Sequence, residues 1–211
     1  MKYLATMAIV VVSSVAALSI IPNSHAAAGH GSNQHSFWTY VSKTGDIKRP
    51  SDKLVRENWV HLGTWAIPEV KGASGPGMHD VYTERWVADA FNKTHQWPDG
   101  AVLVKQVHGI SKGVRTTGPE VYWEGETGVW FVMVKDNQNR FPKDARWGEG
   151  WGWALFKADS PDTNVSTTWK GDGLSNCFGC HIPAKSTGWV YLEGYPTLNL
   201  SAEQKKAAAA R

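Results

Sequence analysis

"AVLVKQVHGI" (residues 101–110) is the stretch on which the fold turns. It is rich in β-branched residues and reads as a strand. Strand periodicity puts Ala101, Leu103, Lys105 and Val107 on one face, and Val102, Val104, Gln106 and His108 on the other. The turn in front of it, "WPDG" (97–100), has a mechanism: Pro98 presets φ and Gly100 takes the strained position. Further along, "EVYWEGETGVWFVMVKD" (120–136) reads as two strands joined by a turn at "EGETG", and "GWGWALFKA" (150–158) as another strand. Upstream, "WVHLGTW" (59–65) starts the ordered region, and "KGASGPGMHD" (71–80) reads as a glycine-rich loop. "VYTERWVADAFNKT" (81–94) reads as a strand running into a short helix. Short strands separated by glycine turns predict a mainly β (α+β) fold. The expected architecture is an antiparallel sheet or sandwich with a few short helices, not alternating βαβ units.

The chain is 211 residues long and nearly charge-balanced, with 22 Lys and Arg against 19 Asp and Glu. It has no basic stripe, which argues against nucleic acid as a partner. Twelve tryptophans and 21 glycines fit aromatic packing with many tight turns. Residues 1–26 read as a signal peptide: Lys2, an apolar run, then the small-residue site "SHA" cut after Ala26. The alternative is an uncut membrane anchor, since the run is about as long as the shortest spanning helices. The predicted location is the periplasm. Residues 27–53 read as a loose polar leader with a few packed aromatics such as Phe37 and Trp38, 54–200 as the functional domain, and 201–211 as a tail that is a frayed helix or disordered.

Both cysteines of the chain fall in "NCFGCH" (176–181). Structural zinc wants four N or S ligands, and there is no second cysteine pair. A thioredoxin-like redox pair wants a βαβ setting. A disulfide across so small a loop would constrain the unfolded chain little and leave His181 unexplained. The fourth reading is covalent haem c, for which Cys-x-x-Cys-His is the signature. Positions i, i+3 and i+4 share one helix face. Cys177 and Cys180 can thus form thioethers with one haem while His181 ligates the iron. Small electron-transfer cytochromes carry this motif early and a methionine ligand after it. Here the motif is late and no methionine follows. The four-helix cytochromes c′ carry it late, but the helical periodicity of a bundle is absent.

The segments "WVHLGT", "DVY", "WPDGAVLVK", "MVKD", "GWGWALF", "CFGCH" and "AKSTGWVY", in that order, resemble the cytochrome P-460 family and its relatives, the β-fold cytochromes c′ (cytochrome c′-beta). The resemblance runs from about Trp59 to Leu198. It implies an antiparallel β fold, commonly a homodimer, with one haem c held by Cys177, Cys180 and His181 and an open distal face. Full-site members are oxidoreductases that convert hydroxylamine to nitrous oxide or other nitrogen oxides, with a periplasmic redox cytochrome as electron acceptor. They also carry a lysine bonded to the porphyrin, and Lys105 stands in that lysine's place. Asp172 lies near where a pocket carboxylate occurs in active members; read alone, it is a solvated turn residue in "KGDG". Relatives without the lysine bond capture nitric oxide and turn nothing over.

Two functions therefore stand open at this stage, an enzyme and a gas-binding protein, with electron transfer a weaker third. The strand alternation gives Lys105 apolar company, which lowers a lysine's pKa and favours the neutral amine; snorkelling from a strand edge is the alternative. Met133 reads as core packing. Met78 and His79, on the glycine-rich loop, are candidates for a further iron ligand or solvated loop residues. Trp151 and Trp153 share a strand face on which they could line a haem cleft.

Overall fold

The computed structural model describes residues 37–72, 75–170 and 177–210. The expected signal peptide and Asp172 lie outside these residues. Six strands form a single antiparallel sheet in the order β1-β2-β3-β4-β6-β5. They are β1 (Val60–Ile67), β2 (Gly77–Thr83), β3 (Val102–Arg115), β4 (Gly118–Lys135), β5 (Trp147–Gly148) and β6 (Trp151–Lys157). The helices are α1 (Asp52–Asn58), α2 (Arg85–Thr94), α3 (Cys177–His181) and α4 (Ala202–Ala209). The mainly β expectation holds, with a single sheet in place of a sandwich. No helix among the described residues is long and apolar enough to cross a membrane.

The "WPDG" turn does what its residues dictate. Gly100 takes φ +78°, and its N–H donates to the Lys135 carbonyl, so β3 enters the sheet already paired with the end of β4. β3 and β4 then run together as a long hairpin. "EGETG" is not a turn: β4 passes through it as one strand. The register shifts between Val107 and Ile110 of β3 absorb the mismatch as bulges.

The strand alternation divides the core. On one face Leu103, Met133, Trp151 and Trp153 pack against Val87, Ala88 and Phe91 of α2 and against Trp189, Val190, Leu192 and Tyr195. On the other, Val102, Val104, Trp130, Val132, Val134 and Phe156 pack against Phe37, Val41, Ile47 and Val55. The last set corrects the loose-leader reading. The segment from Phe37 onward covers this second face, and α1 is capped by Ser51, whose side chain accepts from the Leu54 N–H. Of the two leader aromatics, Phe37 is packed and Trp38 is exposed. The tail takes the helical one of its two expected forms. Ser201 and Gln204 form a reciprocal capping box that starts α4.

The chain after α3 is held against β1 by a close backbone approach. A Cβ on Gly63 would collide with the Gly194 carbonyl, so glycine at this position is what lets the segment around Leu192 lie down on the sheet.

Candidate functional site

The face carrying Leu103 opens into a largely apolar cavity of about 240 Å³. Strands supply Val81, Leu103, Lys105, Phe131, Met133 and Trp153; α3 closes the opposite side with Cys177, Cys180 and His181. Lys105 and the three motif residues, far apart in sequence, thus line one space. Lys105 pairs laterally with Val81 of β2 and Phe131 of β4. Its Nζ lies 4.3 Å from the centre of the Phe131 ring. The surface this side chain keeps belongs to the cavity wall, and burial pushes its pKa down, with the nearby cysteines acting in the opposite direction. A cation–π contact of about 0.5–2 kcal/mol does not offset the several kcal/mol needed to desolvate an ammonium.

His181 is oriented by its own backbone surroundings. A carbonyl can only accept, so Nδ1–H donates to the Trp189 carbonyl at 2.6 Å, leaving the lone pair on Nε2. That carbonyl is aimed by two consecutive left-handed residues, Gly188 (φ 73°) and Trp189 (φ 69°). The Trp153 ring meets the imidazole edge-on at 5.0 Å. Burial first, then the charge of Lys105, pushes His181 down to about 4 despite the Trp189 bond, so the imidazole is neutral at pH 7. Neutral imidazole with its second nitrogen hydrogen-bonded is the form that ligates a metal. Burial pushes the Cys177 thiol up to about 11, while Cys180 is exposed.

The donor set fits haem c: two thiols one helical turn apart, an oriented neutral imidazole beside them, and apolar walls. Met78 and His79 are corrected. Both lie in β2, not in a loop. His79 is buried, lines the cavity and donates from Nε2 to the Gly75 carbonyl at 2.9 Å. The signal for this was present in "MHDVYT", whose alternation carries His79 and Val81 to one face. Met133 is core packing, as its strand suggests, and also touches the cavity. Of the two paired tryptophans, Trp153 lines the cavity. Trp151 instead faces a second cleft beside Trp97 and donates to the Gly188 carbonyl. The Trp189 carbonyl, unreadable from a side-chain pattern, is the orienting group that sequence reasoning missed.

Sheet, motif helix and cavity together define a β-sheet c-type cytochrome. The family model for Cytochrome P460 matches residues 56–192, well over half of the chain, and the protein belongs to that family. It is accordingly a haem c-type cytochrome. No curated protein matches the chain at a significant level.

Proposed function

We propose that the protein is a periplasmic mono-haem cytochrome that oxidises hydroxylamine and passes the electrons to another cytochrome. One observation carries the reading: Lys105, held in apolar surroundings, shares a single cavity with Cys177, Cys180 and His181. When bound, the haem supplies the iron at which a small nitrogen compound is held and loses electrons. The chain's own residues do the rest. Cys177 and Cys180 would hold the ring by thioethers. His181 would offer its Nε2 lone pair to the metal, and the Trp189 carbonyl keeps the imidazole from rotating. Val81, Leu103, Phe131 and Trp153 exclude water. Desolvation lowers the Lys105 pKa and so favours the neutral amine, the form that would bond to the macrocycle. That bond would distort the ring and alter its electronics, which are levers on haem reactivity. Asp172 is proposed as the base that removes protons from the substrate, provided it comes within hydrogen-bond reach.

A second reading, capture of nitric oxide without turnover, is favoured by the cavity lining, which includes no carboxylate among the described residues. Steady-state oxidation of hydroxylamine with a dye acceptor, and gas analysis for nitrous oxide, separates the two. Turnover with nitrous oxide release supports the enzyme. Tight nitric oxide binding with no hydroxylamine-dependent dye reduction would establish the gas-binding protein instead.

A further inference from the structure

The sheet face turned away from the cavity carries a second cluster. Asp80 of β2, His108 of β3 and Glu124 of β4 bring one donor atom each to within 4.8 Å of one another. Asp80 and His108 are buried at 2% and 1% exposure, and Glu124 forms the rim. His108 Nε2 lies 3.5 Å from Asp80 Oδ2 and 3.9 Å from Glu124 Oε2. Tetrahedral ligands at zinc distances stand about 3.4 Å apart.

Protonation in the cluster follows from its hydrogen bonds. A guanidinium only donates, so the 2.9 Å contact from Arg56 to His108 Nε2 places a lone pair on that nitrogen. Nδ1–H then donates to the Thr127 hydroxyl at 2.9 Å. This is the arrangement of a metal-ligating histidine with its outer nitrogen anchored. Asp80 Oδ1 accepts from the Thr64 hydroxyl, but its other oxygen, Oδ2, is buried and has no hydrogen-bond partner. An orphaned buried carboxylate oxygen points to a group that is to be bound there. Arg56 bonds to His108 and to Glu124 but leaves that oxygen unmatched. Arg56 already satisfies His108 Nε2, and a proton shared between the two carboxylates would satisfy Asp80 Oδ2, so two separate groups are needed to serve the cluster. One divalent ion takes all three atoms.

We propose that Asp80, His108 and Glu124 form a binding site for a zinc-class divalent cation on the sheet face opposite the cavity. Mixed imidazole and carboxylate ligands suit such an ion, and water completes the shell. Arg56, whose side chain is 41% exposed, bridges two of the three ligands and must swing out to admit the ion. His61 lies at the rim, with Nε2 3.3 Å from Asp80 Oδ1.

The test is zinc binding by the haem-loaded protein, followed by calorimetric titration with zinc sulfate and by elemental analysis of zinc per chain after gel filtration. Wild type is expected to take up one zinc per chain saturably. Glu124→Gln removes a rim ligand without disturbing the core and is expected to weaken binding by at least about tenfold; Thr127→Val frees the outer histidine nitrogen and is expected to cost about 10–100-fold. Arg56→Gln removes the competing cation and is expected to bind zinc as tightly as wild type or more so. Circular dichroism confirms that each variant is folded. Absence of saturable uptake in both wild type and Arg56→Gln would overturn the site, leaving a cluster held by a guanidinium and a proton. Unchanged affinity in folded Glu124→Gln would place the zinc elsewhere. Loss of zinc binding in Arg56→Gln would refute the competing role of the guanidinium.

Discussion

Lys105→Leu decides whether the lysine is bonded to the haem, and it does so by the sign of a stability change. If the bond forms, Lys105 and Cys177 are tied through one ring, closing a loop of about 72 residues. Loop-closure entropy for that length contributes about 4.4 kcal/mol by removing freedom from the unfolded chain. Leucine at the same point of β3 keeps the strand and much of the volume. It also replaces a desolvated amine with a side chain whose burial is worth about 1.5–3 kcal/mol. A cross-linked wild type should therefore lose about 2 kcal/mol on this substitution. Without the bond, the only change is an amine replaced by an apolar group among Val81, Leu103 and Phe131, and the variant should gain about 2 kcal/mol. Urea unfolding of both haem-loaded proteins, followed by far-ultraviolet circular dichroism, reads the sign. Tryptic digestion supplies the covalent evidence: wild type should yield the Lys105 peptide joined through haem to the Cys177–Cys180 peptide. A more stable Lys105→Leu with cleanly separating wild-type peptides and one shared spectrum would refute the cross-link, and gas binding would then lead.

Cys177→Ser combined with Cys180→Ser should abolish haem retention after acid–acetone extraction, unless Lys105 holds the ring by itself. The reduced wild-type protein should show a five-coordinate iron spectrum, since no methionine follows the motif and Met133 is committed to the core; a low-spin six-coordinate ferrous spectrum at neutral pH would contradict this. Arg140 bonds Asp99 through both of its terminal nitrogens, at 3.0 and 2.6 Å, and reaches the buried Asp136 at 2.6 Å. Arg140→Met should cost about 3–5 kcal/mol at pH 7, because it leaves buried charge unpaired. The Arg140 hydrogen bonds hold Asp99 below the usual carboxylate range. Its contribution is therefore present above about pH 4 and is lost as pH falls through the depressed value. Arg140→Met should flatten that acid limb of the stability curve in urea titrations between pH 5 and pH 2.

What the sequence yielded, and what it withheld, follows the range of the forces involved. The faces of β3 were legible because side-chain alternation is local. Lys105 falls where the pattern puts it, with Gln106 and His108 on the other side. The haem motif was legible because one helical turn is local too. β4 was misread at "EGETG", where glycines suggest a turn. There Gly125 serves close approach: a Cβ on it would come within 3.0 Å of the Gly109 carbonyl across the hairpin. That demand is set by the partner strand and cannot be seen in the segment itself. Phe37, Val41 and Ile47 sit in a polar stretch whose composition reads as loose, and only the apolar face they cover explains their order. His79 was lost to the glycines just before it, though Gly77 already belongs to β2.

The sheet itself explains why two charged clusters coexist here. Lys105 and Gln106 are neighbours in β3 with opposite assignments. One points into the haem cavity, and the other bonds Asp52 and Arg56 of α1. A slip of one residue in the β2–β3 register would exchange them, burying Gln106 among the cavity's apolar walls and setting Lys105 among the partners of Asp52. The register is held on both sides: Val81 and Phe131 flank Lys105, and Asp80 and Trp130 flank Gln106. Trp130 Nε1 also donates to Asp52 at 2.7 Å, and Arg49 stacks over the Trp130 ring at 4.3 Å. The polar network under α1 thus fixes the strand that aims Lys105. Asp52→Ala removes the shared acceptor of Gln106, Trp130 and Arg49, so, if wild type carries the proposed Lys105 bond, the haem-loaded variant should form it slowly or incompletely while thioether attachment proceeds. Unchanged cross-linking in that variant would mean that packing of Val104 and Val132 alone sets the register.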